Sequence, residues 1–341
     1  MMKKTLLTVA VAGAFAAPAI VLAQSTGNVT IYGRVNMSFD RYSATGATAG
    51  AAADVQARNR VYDNGSRLGF RGAEDLGNGL QGIFQIESGF NGDASAGGVA
   101  ASTGTLGTRQ TFVGLKSKDW GEVRLGRQEV FWINGKLDAV YLGMQSNGFF
   151  NSMWAVQGIT AVGATGNGVM SAAPARTDNT VSYIAPTFSN LTFKAQYATP
   201  IGESTPAGSG VKQSLTALDL AYDNGPWYGL ATWVKNSDVA LAWDGSTQIT
   251  AAGNTIDAWR LGLGYTFPTK TMLSLMYEKV KNHTGNGAGL GANVTNPDRD
   301  RRNMILTAIH TMGNSRLFVT YGTGSDVNGA VAGGAGTGAK Q

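Results

Sequence analysis

The sequence predicts an all-β protein, a transmembrane antiparallel β-barrel, from two observations. Segments of roughly ten residues alternate apolar and polar side chains along nearly the whole chain. The connections between these segments alternate along the chain: each very short connection is followed by a long one that is rich in glycine. Successive side chains of a strand point to opposite faces, so each segment has one apolar and one polar face. Few folds need this layout over a chain of 341 residues.

Residues 1–23 are predicted to be a signal peptide, which leaves residues 24–341 as the barrel domain. Two lysines precede an apolar core from Leu6 to Ile20, and Ala23 ends a small-residue cleavage site. The alternative is an N-terminal membrane anchor, but the apolar run is shorter than the roughly 20 residues that a spanning helix needs. The mature chain is therefore expected to leave the cytoplasm.

Composition excludes several classes of function. The chain has no cysteine, which excludes disulfides, thiol catalysis and cysteine-ligated metals. Without Lys3 and Lys4, 25 basic and 22 acidic residues remain, and this dispersed excess does not resemble a nucleic-acid footprint. A mean hydropathy of −0.08 fits a barrel, because only alternate residues face lipid. No cofactor and no nucleic-acid partner are predicted.

The alternating segments define about 13 strands, with boundaries uncertain by about two to four residues. They are 28–41, 57–73, 79–91, 107–117, 121–129, 176–186, 190–199, 213–223, 226–236, 254–267, 270–281, 301–311 and 315–323. Long connections fall near 42–56, 92–106, 130–175, 200–212, 237–253 and 282–300. Strict alternation with short Gly/Pro/Asn/Asp turns places all tight turns at one end of an antiparallel meander. A propeller or sandwich would show sequence repeats or more uniform turns.

The connection 130–175 is exceptional in length and in apolar content. It is about three times as long as the length at which structureless loops become uncommon. It contains Phe131, Trp132, Tyr141, Phe149 and Trp154, a load that a solvated loop would not carry. We expect it to fold back against the rest of the protein; the alternative is a short helical excursion on the barrel rim.

A run from Ser66 to Leu80 carries the most specific motif, Ser-Arg-Leu-Gly-Phe-Arg-Gly followed by Ala-Glu-Asp-Leu-Gly. Arg67 and Arg71 share one face of this strand, and Leu68 and Phe70 share the other. Each arginine on the lipid face at mid-membrane would cost about 2–4 kcal/mol, so the arginine face is predicted to be the lumen.

Together with Val29–Arg34, Arg109–Leu115 and Gly121–Arg127, this run resembles the general porins of Gram-negative bacteria, closest to the β-proteobacterial branch. The similarity covers essentially the whole mature chain. It implies a homotrimer of barrels of about 16 strands each, located in the outer membrane. Each barrel would hold a water-filled channel for passive diffusion of small hydrophilic solutes and ions. The third external loop, which corresponds to 130–175, would narrow that channel.

The resemblance also implies a constriction with basic residues on the barrel wall and acidic residues on the loop. By position in the matching motifs, the basic wall comprises Arg34, Arg67, Arg109 and Arg176. The loop acids comprise Asp138 and Glu129. An arginine-rich constriction favours anions, and a low-dielectric wall focuses the field of a few charges. The alternative for each arginine is a snorkelling residue near a strand end.

The chain departs from that family at its end, where residues 333–341 are loop-like and no terminal aromatic is present. We therefore expect the last strands, on the order of 50 residues, to be missing, and the barrel as written not to form a stable closed pore. The alternative is a smaller barrel of about 12 or 14 strands.

Other functions are less consistent with the sequence. A substrate-specific outer-membrane channel for a sugar or dicarboxylate is the alternative with the same architecture. No enzyme signature is found, and the two histidines, His283 and His310, form no catalytic motif. The predicted partners are outer-membrane lipid and lipopolysaccharide, further copies of the chain, and small solutes and anions.

Overall fold

The computed structural model describes the strands and short turns of the chain. The described residues are 28–44, 55–63, 65–90, 92, 106–131, 136–137, 176–199, 214–237, 240–243, 248–250, 255–281, 301–324 and 339–340. The predicted signal peptide, most of the long connections and Asp138 lie outside them. Among the described residues, no helix is both long and apolar enough to cross a membrane.

The described residues form 18 strands. They are β1 (Asn28–Arg34), β2 (Met37–Ala44), β3 (Val55–Asp63), β4 (Arg67–Gly77), β5 (Leu80–Gly89), β6 (Thr111–Ser117), β7 (Gly121–Glu129), β8 (Arg176–Ile184), β9 (Leu191–Ala198), β10 (Ser214–Asn224), β11 (Trp227–Ser237), β12 (Ala240–Trp243), β13 (Gln248–Thr250), β14 (Thr255–Thr266), β15 (Thr271–Lys281), β16 (Arg301–Met312), β17 (Ser315–Gly324) and β18 (Ala339–Lys340).

One 14-stranded antiparallel sheet contains most of the strands, in the order β1-β4-β5-β6-β7-β8-β9-β10-β11-β14-β15-β16-β17-β18. Neighbours in this sheet follow one another along the chain, apart from the two hairpin extensions β2–β3 and β12–β13, which form separate two-stranded sheets. Each strand predicted from the sequence overlaps one of the long strands of the main sheet. The predicted antiparallel meander is therefore confirmed.

Two predicted strands are each divided into two by a kink. The predicted strand 28–41 breaks between β1 and β2, and 57–73 breaks between β3 and β4, where Gly65 has a φ of 79°. Asp63 holds the second kink: its Oδ1 accepts hydrogen bonds from the backbone N–H groups of Gly65 (2.8 Å) and Ser66 (2.9 Å). The Ser66 hydroxyl in turn accepts a hydrogen bond from the backbone N–H of Asn36 at 3.0 Å, which joins the two kinks.

The fourth predicted strand, 107–117, corresponds to β6, and the start of β6 lies within the stated uncertainty of about two to four residues. The structure places residues 107–109 in turns and bends, and β6 begins at Thr111. Gly107 lies in the turn before β6 with a φ of 84°, and its N–H donates to the Ser88 hydroxyl. Polar alternation alone could not reveal this local turn.

The strands bury their polar faces and expose their apolar faces. Leu306 and Val319 are 56% and 67% exposed, whereas Glu278 and Thr307 are 0% and 2% exposed. A water-soluble protein shows the opposite distribution. The exposed face is therefore the lipid-facing surface of a transmembrane barrel, and the buried polar face is its interior. The fold class predicted from the sequence is confirmed.

The chain turns into the barrel where it leaves β7. Gln196 of β9 holds this exit, because its side-chain oxygen accepts from the N–H of Phe131 (3.2 Å) and its amide donates to the carbonyl of Glu129 (3.1 Å). Val130, Phe131 and Leu137 are buried in one cluster with inner-face residues of β9–β16. The prediction that this connection folds back is confirmed for its described residues.

Leu137 is the last described residue of this segment and is fully buried. Its two methyl groups lie over Gly262 and Gly264 of β14; a Cβ added at Gly262 would lie 2.7 Å from Leu137 Cδ1, and one at Gly264 would be closer still to Cδ2. Its carbonyl accepts a hydrogen bond from the Ser274 hydroxyl of β15 at 3.1 Å. The absence of side chains at the two glycines leaves the space that the Leu137 side chain occupies.

A methyl group at Gly264 should displace the Leu137 side chain from its packing site on β14. We expect Gly264→Ala to raise hydrogen–deuterium exchange in peptides that cover residues 130–137, because overpacking costs about 1–3 kcal/mol. Gly229→Ala is the control, since its nearest neighbour atom would be 3.8 Å away. Leu137→Ala should partly relieve the effect in the double variant; strictly additive effects would contradict the contact.

Candidate functional site

Charged side chains on or next to six strands that neighbour one another in the main sheet, β1 and β4 to β8, meet on the inner wall of the barrel. Arg34 of β1 lies directly opposite Arg67 of β4 in the strand register. Glu87 of β5 lies opposite Gly69, two residues further along β4. Arg109 lies just before β6, with Gln110 between them, and its backbone N–H donates to the carbonyl of Glu87 at 2.9 Å. The antiparallel pairing of neighbouring strands is what brings these side chains together.

Glu87 lies at the centre of the first half of the site and is only 3% exposed. Its Oε1 accepts from Arg109 Nε at 2.6 Å and lies 3.6 Å from Arg67 Nη1. The Tyr32 hydroxyl donates to its Oε2 at 3.1 Å. A buried carboxylate needs such partners, because taking its charge out of water is otherwise expensive. Gly69 leaves the space that the Tyr32 ring occupies.

Glu129 connects the second half of the site. Its Oε1 accepts a hydrogen bond from Arg176 Nη2 at 3.0 Å and lies 3.5 Å from Arg109 Nη2. Arg109 therefore lies between the two carboxylates. From β4 to β8 the wall carries positive and negative side chains in alternation.

The site has more cations than anions. Three arginines (Arg67, Arg109 and Arg176) share two carboxylates (Glu87 and Glu129), and a fourth, Arg34, lies opposite Arg67. Arg67 is close enough to both Arg34 and Arg109 to be repelled by them. The Nε of Arg34 has no hydrogen-bond partner among the described residues. Part of the arginine charge is therefore left uncompensated by these two acids.

The structure brings together all four arginines and one of the two acids named from the sequence. Glu129 is the last residue of β7 and lies beside the arginines. Asp138 is outside the described residues. The assignment of these residues to a constriction stays a prediction.

Sequence reasoning missed Glu87 because it assigned the acidic partners to the long connection. The signal was present in the predicted strand 79–91, where Glu87 has the same parity as the polar Gln85. That parity places Glu87 on the polar face, the same face as the arginines of the motif.

Interior charges on the β9–β16 side lie in ion pairs. Arg260 Nη2 lies 2.8 Å from Glu278 Oε2, and Glu278 also accepts from Asn303 Nδ2 at 2.8 Å. Lys194 Nζ lies 2.9 Å from Asp219 Oδ1. Among the described residues, the arginine excess is thus specific to the β1–β8 side of the barrel.

Fold and site together define a transmembrane β-barrel whose interior is polar and charged. The family model described as Gram-negative porin matches residues 7–341. The chain belongs to the Gram-negative porins, as its sequence motifs predicted, and is an outer-membrane protein.

Two relatives illustrate the range of sequence similarity. An outer membrane porin protein of Bordetella pertussis is 31% identical over 324 residues, which cover 88% of this chain and 75% of that protein. The major outer membrane protein P.IB of Neisseria gonorrhoeae is 36% identical over 102 residues, which cover 30% of this chain and 27% of that protein.

Solved structures give the same fold. An anion-selective porin from Comamonas acidovorans superposes with a TM-score of 0.58 at 25% identity and covers 88% of this chain and 79% of its own. The trimer form of OmpT from Vibrio cholerae superposes with a TM-score of 0.55 at 15% identity and covers 90% of this chain and 80% of its own.

Removing the Glu87 charge should destabilise the barrel. Glu87→Gln leaves Arg67 and Arg109 without their shared carboxylate, and breaking a buried ion pair in this way costs about 3 kcal/mol. Urea unfolding in detergent measures this change. Glu74→Gln removes the same charge from an exposed position and should cost less than about 0.5 kcal/mol. Equal losses in the two variants would contradict the central role of Glu87.

Proposed function

We propose that the protein forms a water-filled channel for passive diffusion of small hydrophilic solutes and ions, with a preference for anions and without a catalytic step. The observation that carries this proposal is the excess of arginines over carboxylates on one inner wall. The structural neighbour from Comamonas acidovorans, which is described as anion-selective, supports the same preference.

The physical basis is the field of the uncompensated arginines. Rings or rows of fixed charge in a pore set ion preference, and arginine favours anions. The low-dielectric barrel wall concentrates this field in the aqueous interior. The two glutamates lie among the arginines and lower the field without removing it. Arg34, Arg67, Arg109 and Arg176 would therefore attract anions, with Glu87 and Glu129 moderating the attraction.

The narrowing of this channel is part of the proposal. The chain enters the barrel after Glu129, and Leu137 is fixed on the far wall at β14 and β15. The connection that follows, including Asp138, would continue from that point and narrow the interior beside the arginines. We also propose a homotrimer, as in the trimer form of the Vibrio cholerae neighbour, surrounded by outer-membrane lipid and lipopolysaccharide.

Neutralising an arginine should reduce anion preference. A unit charge several ångströms from a passing ion contributes about 0.5–1 kcal/mol in water, so we expect Arg67→Gln or Arg109→Gln to lower the chloride-to-potassium permeability ratio about two- to fivefold. Reversal potentials under a salt gradient in planar bilayers measure this ratio. Lys118→Gln, in an exposed turn, is the control and should leave it unchanged. An unaltered ratio in both arginine variants would overturn the proposal.

Neutralising an interleaved acid should act in the opposite direction. We expect Glu129→Gln to raise the same permeability ratio about two- to fivefold, because Arg109 and Arg176 lose their shared counter-charge. The same bilayer measurement applies. A lowered ratio would show that Glu129 acts through the position of Arg176, and the electrostatic account would then fail.

A further inference from the structure

Two consecutive residues that follow β7, Lys136 and Leu137, contact one transverse row of residues on the inner wall of the barrel. They belong to the inward segment, whose described residues are 130–131 and 136–137. The row consists of Asp223 of β10, Tyr228 of β11, Gly264 of β14 and Ser274 of β15. Each of the four lies directly opposite the next in the strand register. The row therefore forms a single surface for the two residues.

Lys136 makes the charged contacts with this row. Its Nζ forms an ion pair with Asp223 and lies 5.2 Å from the centre of the Tyr228 ring. Both partners face the interior, because Asp223 has the same parity as the buried Asp219, and Tyr228 the same parity as the buried Leu230. A carboxylate and an aromatic face both attract the ammonium group, so its place on the wall is defined by two partners.

Leu137 makes the apolar contact with the same row. Its side chain packs over Gly264, and its carbonyl accepts from the Ser274 hydroxyl. Apolar packing has no preferred direction, and Gly262 offers a second side-chain-free position on β14. The packing of Leu137 alone therefore fixes its position along β14 less well than the polar contacts of Lys136 do.

The row lies beside the short turns that join β10 to β11 and β14 to β15. In outer-membrane barrels such turns face the periplasm. The other attachment of the inward segment is at Gln196, which lies opposite Ala217, and Asp223 lies about 20 Å further along β10. The inward segment is thus attached to the wall at two levels of the interior.

The attachment at the lower level is accessible to water. The side chains of Lys136 and Asp223 are 60% and 50% exposed. Ion pairs in contact with water are weak and are screened by salt. The ion pair can therefore open and close while the barrel stays folded.

We propose that Lys136 is a positioning residue of the proposed channel. Through Asp223 and Tyr228 it holds the inward segment against the periplasmic end of the wall, and it thereby keeps the width of the aqueous path constant. When the ion pair opens, this end of the segment moves and the width fluctuates. The inference rests on the proposed channel function and deepens it, because it names what holds the narrowing in place.

The first test is a charge exchange between the two partners, read by hydrogen–deuterium exchange in peptides that cover residues 130–137 of the full chain in detergent. Lys136→Glu and Asp223→Lys each place like charges together, so we expect about two- to fivefold faster exchange in either variant. The variant that combines both changes restores an ion pair and should exchange at the rate of the unaltered protein. Lys136→Arg keeps the charge and should also retain that rate.

The matched control is Lys118→Glu, which makes the same charge reversal in an exposed turn at the same end of the barrel. It should leave exchange in residues 130–137 unchanged. All these side chains are exposed, so the variants should fold, and urea unfolding in detergent confirms this. Raising the salt concentration should speed exchange in the unaltered protein and should have no effect in Lys136→Gln, which has no ion pair to screen.

The second test reads the channel itself. Open-channel current noise in planar bilayers should rise in Lys136→Glu and in Asp223→Lys, and it should return to the original level in the combined variant. A merely structural ion pair would change stability without changing this noise.

Four results would overturn the proposal. They are unchanged exchange in both single variants, no recovery in the combined variant, equal salt sensitivity in Lys136→Gln and the unaltered protein, and unchanged current noise where exchange is faster. Hydrogen–deuterium exchange needs no ion flow, and reversal potentials do not report the attachment of the segment. Failure of this inference and failure of the proposed anion preference are therefore distinguishable.

Discussion

Hydrocarbon offers no hydrogen-bonding partner to a peptide group, and the architecture of this protein follows from that constraint. Each unpaired backbone N–H or C=O in lipid costs several kcal/mol, so a β-strand that crosses a membrane must be paired along both edges. The antiparallel meander provides this pairing for the strands between β1 and β18, and it leaves the side chains with two environments, lipid and interior. The apolar side chains face lipid. The polar ones are then concentrated inside, where strand register fixes which of them meet.

This concentration explains why the arginines are tolerated and why they are not alone. On the lipid side each would be costly, whereas in the interior Arg67, Arg109 and Arg176 lie beside carboxylates. The order Arg67, Glu87, Arg109, Glu129, Arg176 spreads the charge along the wall, so that each of these three arginines lies beside a carboxylate. The resulting field is weaker than that of four bare cations. The arrangement of the guanidinium groups is also more rigid, because the shared carboxylates hold these groups in place.

Sequence reasoning recovered the strands and their faces because both depend on a two-residue period that the chain displays directly. The lumenal direction of Arg67 and Arg71 followed in the same way. The kink at Asp63 and the turn at Gly107 were missed, because they depend on hydrogen bonds to residues that periodicity does not reveal. Glu87 was missed for a different reason: its parity within the predicted strand 79–91 placed it on the polar face, but the acidic partners were assigned to the long connection.

The packing of Leu137 against β14 and β15 has a consequence for the order in which the chain folds. Ser274, which donates to the Leu137 carbonyl, is 137 residues further along the chain. Contacts between such distant residues form after local ones, because a long loop must be closed first. The inward segment therefore has no wall to dock on until β14 and β15 have paired. We therefore expect the docking of Leu137 to be among the last events of folding.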